Sequence, residues 1–180
     1  MDPSAQQFSA VPERNTGDVI LRTAQQHHVQ MSVMADTKAN IIITVSSVVL
    51  TIALGRTRDE LHGLSAIVLG AFTMVALILA ILAVLPKFKA LKVGDGPLPP
   101  GFNLLFFGHF AQLPRERFLD EVARAMASDG SVYRAMADDL YSLGYYLAHY
   151  KYPYLRYAYA FLLTGFIVSG LVEAVMLLVR

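Results

Sequence analysis

Three stretches of this chain are apolar enough and long enough to cross a bilayer, which fixes the solvent in which it folds. Residues 64–85 run about 22 positions without a charge, about 33 Å at helical rise, enough for the ~30 Å hydrocarbon core. Residues 157–179 form another run with one carboxylate, Glu173. It begins among Tyr150, Tyr152, Tyr154, Tyr157 and Tyr159, aromatics of the kind that settle at headgroup depth. The remaining run, 39–54, is about 24 Å long as a helix, so it crosses only if the bilayer thins or the helix extends back past Met34. The expected fold is an all-α membrane protein: three transmembrane helices with cytoplasmic helical extensions and a helical hairpin.

Composition agrees. Charged residues make up 16% of the chain, against about 25% in soluble domains. A net charge of +1 argues against a nucleic-acid polymer as partner. The chain has no cysteine, which excludes disulfides and thiolate metal sites and fits a soluble part kept in a reducing compartment. The first 30 residues hold no apolar core of signal-peptide length, so the first span is expected to act as its own insertion signal. Basic residues near the spans set the orientation. Arg22, Lys38, Lys87, Lys89, Lys92, Lys151 and Arg156 fall on one side, Arg56, Arg58 and Arg180 on the other. The first side is expected to be cytoplasmic, leaving the tight 55–63 turn and the C-terminus outside.

Four parts follow. Residues 1–17, with Pro3, Pro12 and Gly17, read as a disordered tail. Residues 18–85 read as a cytoplasmic helix, N-capped by Asp18 and carrying Ile20, Ala24, His27, Met31 and Met34 on one stripe, that runs unbroken into spans one and two. Residues 86–156 read as a cytoplasmic helical domain, and 157–180 as span three. Within 86–156, proline and glycine at 94–101 forbid a helix. The apolar patch 103–110 is too short to span and reads as a strand or turn on the soluble helices, or a surface element. Pro114 suits the first turn of a helix with Phe118, Leu119, Val122, Ala123 and Met126 on its apolar face. Asp129-Gly130 ends that helix and Ser131 caps the next, where Val132, Met136, Leu140, Leu143 and Leu147 repeat at helical spacing. Pro153 is expected to kink that helix rather than stop it, and Gly63 and Gly70 read as close-packing points.

The order of these parts resembles the transmembrane effectors of bacterial Pycsar anti-phage systems. Those proteins carry an Ala-Asp-x-Lys-Ala motif at the first span, matched by Ala35-Asp36-Thr37-Lys38-Ala39. A Phe-Phe element precedes an amphipathic helix, matched by Phe106-Phe107 and 116–126, and a Lys-Tyr pair precedes the last span, matched by Lys151-Tyr152. The likeness covers about residues 19–179. It implies a non-enzymatic effector that senses cyclic UMP or cyclic CMP from a partner cyclase and impairs the inner membrane, halting growth before phage mature. The residues themselves show neither a P-loop nor a strand-rich cyclic-nucleotide barrel, so any nucleotide is expected to bind among helices of a homo-oligomer.

Several residues suit such a mechanism. Asp36, Asn40, Thr44, Ser47 and Thr51 recur at three- and four-residue steps and line one helix face. The stripe reads either as the wall of a water-filled path between subunits, with Asp36 and Lys38 at its cytoplasmic mouth, or as small hydroxyl residues that let helices approach. Asp36 and Lys38, two apart, do not face each other and need different partners. Glu173 lies nearer the outer interface than the midplane, and reads as a gating or as a solvated carboxylate. A nucleotide monophosphate needs cations for its phosphate and an aromatic face for its base. Arg115, Arg117, Phe106 and Phe107, with Lys151 of the Lys-Tyr pair, are the candidates, against the plainer reading of core aromatics and a solvated cationic face. His27-His28 point in different directions and no catalytic constellation is visible, so neither a metal site nor a cofactor is expected beyond the activating nucleotide. An oligomeric channel with another signal, or a membrane scaffold or sensor subunit, is the alternative function.

Overall fold

The structure, a computed structural model, describes residues 16–59, 62–87, 91, 93–94 and 96–179. Helix α1, Thr16–Arg56, is followed by α2, Gly63–Val84. Then come the short α3, Phe107–Phe110, α4, Arg115–Ala125, and α5, Asp129–Tyr146. A π-helical turn, Leu147–Lys151, leads into α6, Tyr152–Leu178. No strand occurs among the described residues.

Three helical stretches are long and apolar enough to span: Gly17–Arg56, Gly63–Val84 and Asp129–Leu178. The first resolves the short run at 39–54, because α1 continues back through Met34 without a break. Its 41 residues measure about 60 Å, twice the hydrocarbon thickness, so a large part of α1 lies outside the core. Asp18 in its first turn and Arg56 in its last both interact favourably with the helix dipole.

The chain divides into two compact units, the described residues of Met1–Met31 with Lys87–Tyr146, and of Ser32–Pro86 with Leu147–Arg180. The second, the membrane unit, joins α2, α6, the π-helical turn and the later part of α1. Its core is Ala35, Ala39 and Ile42 of α1, Ala80 and Ala83 of α2, and Leu155 and Ala158 of α6. Alanine dominates because helices in lipid gain by backbone approach rather than by removing apolar surface from water. At Gly165 a β-carbon would stand 2.6 Å from Phe72 Cβ, so α2 and α6 pass too closely there for any side chain. Large residues such as Val48, Ile52, Ile67, Ile78, Leu163 and Leu171 point outward, small inside and large outside.

The first unit holds α3, α4, α5 and the early part of α1. Gly17 lies against the Tyr133 ring and Gly144 against His28. Phe110 and Phe118 stack at 4.9 Å between centroids. Arg117 donates to the carbonyls of Gly94 and Gly96, tying down the linker, whose Gly101 takes a left-handed φ of 80° open mainly to glycine.

Several local expectations are corrected. Residues 1–15 of the expected tail lie outside the described residues, as do Lys89, Lys92 and Arg180, but Thr16 and Gly17 already belong to α1. On early α1, Ile20, Met31 and Met34 are exposed, and the more buried face carries Leu21, Ala24, Gln25 and His28. Gln25 is drawn in by Asp139 and His28 caps its own helix carbonyl at Ala24, so polar satisfaction decides the face. On α4, Leu119, Ala123 and Met126 are exposed, while Phe118, Glu121, Val122 and Ala125 are less so. Asp129-Gly130 opens α5 rather than ending α4, and Ser128, not Ser131, caps it: the Ser131 N–H donates to Ser128 Oγ at 3.3 Å. The patch at 103–110 is a turn followed by α3, not a strand. The row Val132, Met136, Leu140, Leu143 and Leu147 does lie on the more buried side.

Candidate functional site

Lys151 is 5% exposed and its ammonium donates to Asp36 Oδ1 at 2.7 Å and Ser32 Oγ at 2.8 Å. Ser32 and Asp36 stand one turn apart on α1, so a single face presents both acceptors. Lys151 closes the π-helical turn just before Pro153. Proline has no N–H for the carbonyl four residues back and its ring crowds that turn, and widening the helix there accommodates it. Two motif residues far apart in sequence thus meet, and Asp36 finds the partner that Lys38 could not supply. Lys38 itself is exposed. Asp36 keeps 43% of its side chain open, so the pair is buried on the lysine side and accessible on the carboxylate side.

The rest of the stripe faces outward. Asn40, Thr44, Ser47 and Thr51 are all exposed, whereas α1 turns Ala35, Ala39, Ile42, Ser46, Leu50 and Ala53 inward. Thr44, Ser47 and Thr51 hydroxyls donate to the carbonyls of Asn40, Ile43 and Ser47, at 2.9, 2.8 and 2.9 Å, which lowers the cost of carrying them in lipid. In one chain the stripe encloses nothing.

At the other end of the membrane unit Glu173 is neither free nor merely solvated. Its Oε1 lies 3.1 Å from His62 Nε2 and its Oε2 accepts from Ser65 Oγ at 2.5 Å. His62 Nδ1 lies 3.1 Å from Asp59 Oδ2, so the histidine bridges the α1–α2 turn to α6. Sequence reading missed His62 and Ser65, since a lone histidine beside a turn carries no pattern. Gly63 is needed there: a β-carbon would stand 2.8 Å from the Thr57 carbonyl oxygen.

In the first unit the predicted ligand residues have different fates. Phe107 is 60% exposed, while Phe106 is half-buried and packs edge-on to His109 at 5.1 Å between centroids. Arg115 is open to solvent and pairs with Glu116 at 3.3 Å, and Arg117 is committed to the linker carbonyls. Lys151 belongs to the membrane unit. A network the sequence did not signal surrounds Asp139: Gln25 Nε2 donates to one carboxylate oxygen at 2.6 Å and buried Asn103 Nδ2 to the other at 2.9 Å. The Asn103 N–H donates to His109 Nδ1 at 2.9 Å, so Nδ1 is the acceptor nitrogen of the ring, and burial lowers the His109 pKa. No group of three or more metal-ligating side chains lies together among the described residues.

No match to the chain is found among curated proteins or solved structures. A family description does match, the Pycsar effector protein domain, over residues 19–179. That interval contains both motif residues of the Asp36–Lys151 pair, all of the second and third spanning helices and nearly all of the first, and the Asp139 network. The chain therefore belongs to the Pycsar effector family, as a member with three membrane-spanning helices.

Proposed function

We propose that this protein is the membrane-impairing arm of a Pycsar anti-phage system: it senses cyclic UMP or cyclic CMP from a partner cyclase and breaches the inner membrane, arresting growth. The family match over residues 19–179 carries this reading. The protein acts without catalysis of its own, as a ligand-driven device. The N-terminus and the first unit face the cytoplasm, where the ligand is made, and the C-terminus faces outward. Arg22, Lys38, Lys87, Lys151 and Arg156 against Arg56 and Arg58 support that orientation.

The ligand carries one phosphodiester charge and a flat base. Arg115 and Phe107, open to solvent in the first unit, supply a cation and an aromatic face for them. Two helical stretches contribute to both units, α1 and the run Asp129–Leu178, so ligand-induced strain has continuous backbone to act on. The division between units at 146/147 coincides with the start of the π-helical turn, and Lys151 at its end holds Asp36. Ligand binding shifts that pair and the helices it joins, by no more than the ligand's differential affinity for the two states. Homo-oligomers bring the Asn40, Thr44, Ser47 and Thr51 stripes together as a polar seam through the bilayer.

The test is dye and ion leakage from liposomes carrying the purified protein, with cyclic UMP, cyclic CMP and their purine counterparts added in turn. Leakage with a cyclic pyrimidine alone is expected. Leakage with none, or equally with all four, would overturn the proposal.

A further inference from the structure

At the end of the membrane unit that holds Glu173, residues of all three helices line a cavity of about 490 Å³. This falls inside the ~300–1,000 Å³ range of ligand pockets. Its wall is apolar, with Ile52, Leu69 and Phe166, and its rim is polar, with Arg56, His62 and Glu173. Arg56 is the last residue of α1, and His62 directly precedes α2, so the rim lies where these helices leave the apolar zone. A site with hydrocarbon below and charge above, open at headgroup depth, has the shape of a lipid's own interface.

The charges narrow the lipid class. Arg56 is taken up by no ion pair among the described residues, because Asp59 and Glu173 both turn to His62. Its guanidinium is therefore available for a phosphate, which it suits by geometry. Glu173 keeps about a quarter of its side chain exposed and has lone pairs beyond those facing His62 and Ser65. It offers an acceptor for a cation. The fixed charges on the rim, Arg56 and Glu173, are one of each sign and cancel, which matches a zwitterion laid with phosphate on Arg56 and ammonium on Glu173. A primary ammonium donates hydrogen bonds to a carboxylate, and a trimethylammonium has none to donate.

We propose that this cavity is a binding site for one phosphatidylethanolamine molecule, with an acyl chain along Ile52, Leu69 and Phe166, the phosphate on Arg56 and the ammonium on Glu173. The bound lipid fills the gap between the α1–α2 turn and α6. The site lies within the membrane unit, and its occupancy does not depend on the nucleotide reading above.

The test is native mass spectrometry of the full-length protein ejected from mixed micelles containing equal amounts of phosphatidylethanolamine, phosphatidylcholine and phosphatidylglycerol. Phosphatidylethanolamine is expected to be retained about tenfold over phosphatidylcholine, the worth of one charge-assisted hydrogen bond. Glu173→Gln, which keeps the size of the side chain and one acceptor oxygen but removes its charge, should bring phosphatidylethanolamine retention to the phosphatidylcholine level, and Arg56→Gln, which removes the partner of the phosphate, should lower retention of both lipids together. Lys38→Gln, on an exposed face of α1, should leave it unchanged, and inorganic phosphate should not displace the lipid. Equal retention of the three lipids, preference for phosphatidylglycerol, or a preference untouched by Glu173→Gln would overturn the proposal.

Discussion

Lys151 is the one fully charged side chain buried among the described residues, and its burial makes Asp36 a structural requirement. Removing one member of a buried pair strands the other, at about 3–5 kcal/mol. Asp36 is partly open, so Asp36→Asn should cost about 3 kcal/mol, the lower end of that range, read as a drop in Tm in detergent. Asp36→Asn with Lys151→Met should recover most of the loss, because no buried charge is left unpaired. His109 gives a pH-dependent prediction. Its pKa is lowered from 6.5 in the folded state by burial, so its contribution is fully present above 6.5 and is lost as pH falls through the shifted value. His109→Asn should flatten that acid-side decline in thermal unfolding measured across pH. At this scale the sequence was half readable: Asp36, Lys151 and Glu173 are conspicuous as charges at membrane spans, but their partners are not. Asn103, Gln25 and Asp139 gave no signal, because amides and carboxylates on soluble helices are ordinary until they converge.

Individual helices were legible where lipid or turn chemistry dictates them, and less so where faces compete. The spans follow from apolar length, and α1 continues through both units because nothing between Asp18 and Leu54 interrupts it. Which face turns inward did not follow from hydrophobicity: Ala35, Ala39, Ser46 and Ala53 go in beside Ile42 and Leu50, while Val45 and Val48 stay out. The close pass at Gly165 belongs here. Gly165→Ala must push against Phe72 Cβ, which is anchored to backbone, and overpacking of this kind costs about 1–3 kcal/mol. A lowered Tm with Gly170→Ala unchanged is the expected pattern, because nothing lies within 4 Å of a β-carbon at Gly170. The π-helical turn answers to Pro153 in the same way. Pro153→Ala restores an N–H and permits a regular helix, which turns Lys151 by about 100° per residue removed from the bulge and takes it off Asp36. Its Tm should fall about as far as that of Asp36→Asn.

For the whole molecule, the outward polar stripe is the feature that one copy leaves unused. The chain has no cysteine, so single thiols report cleanly on contacts between copies. Ser47→Cys, on the stripe, should cross-link into dimers under mild oxidation in membranes, and Ile41→Cys, exposed on another face of α1, should not. Cross-linking at both positions or at neither would remove the stripe from the assembly. The alanine seam has a mechanical consequence. Contacts built from β-carbons have few interlocking teeth, so little friction holds α1, α2 and α6 at one axial register. That register is pinned mainly at its two extremities, by Lys151 on Asp36 at one and by His62 on Glu173 at the other. Unfastening either pin leaves the axial register to the packing that remains, in which Phe72 against Gly165 still keys α2 to α6.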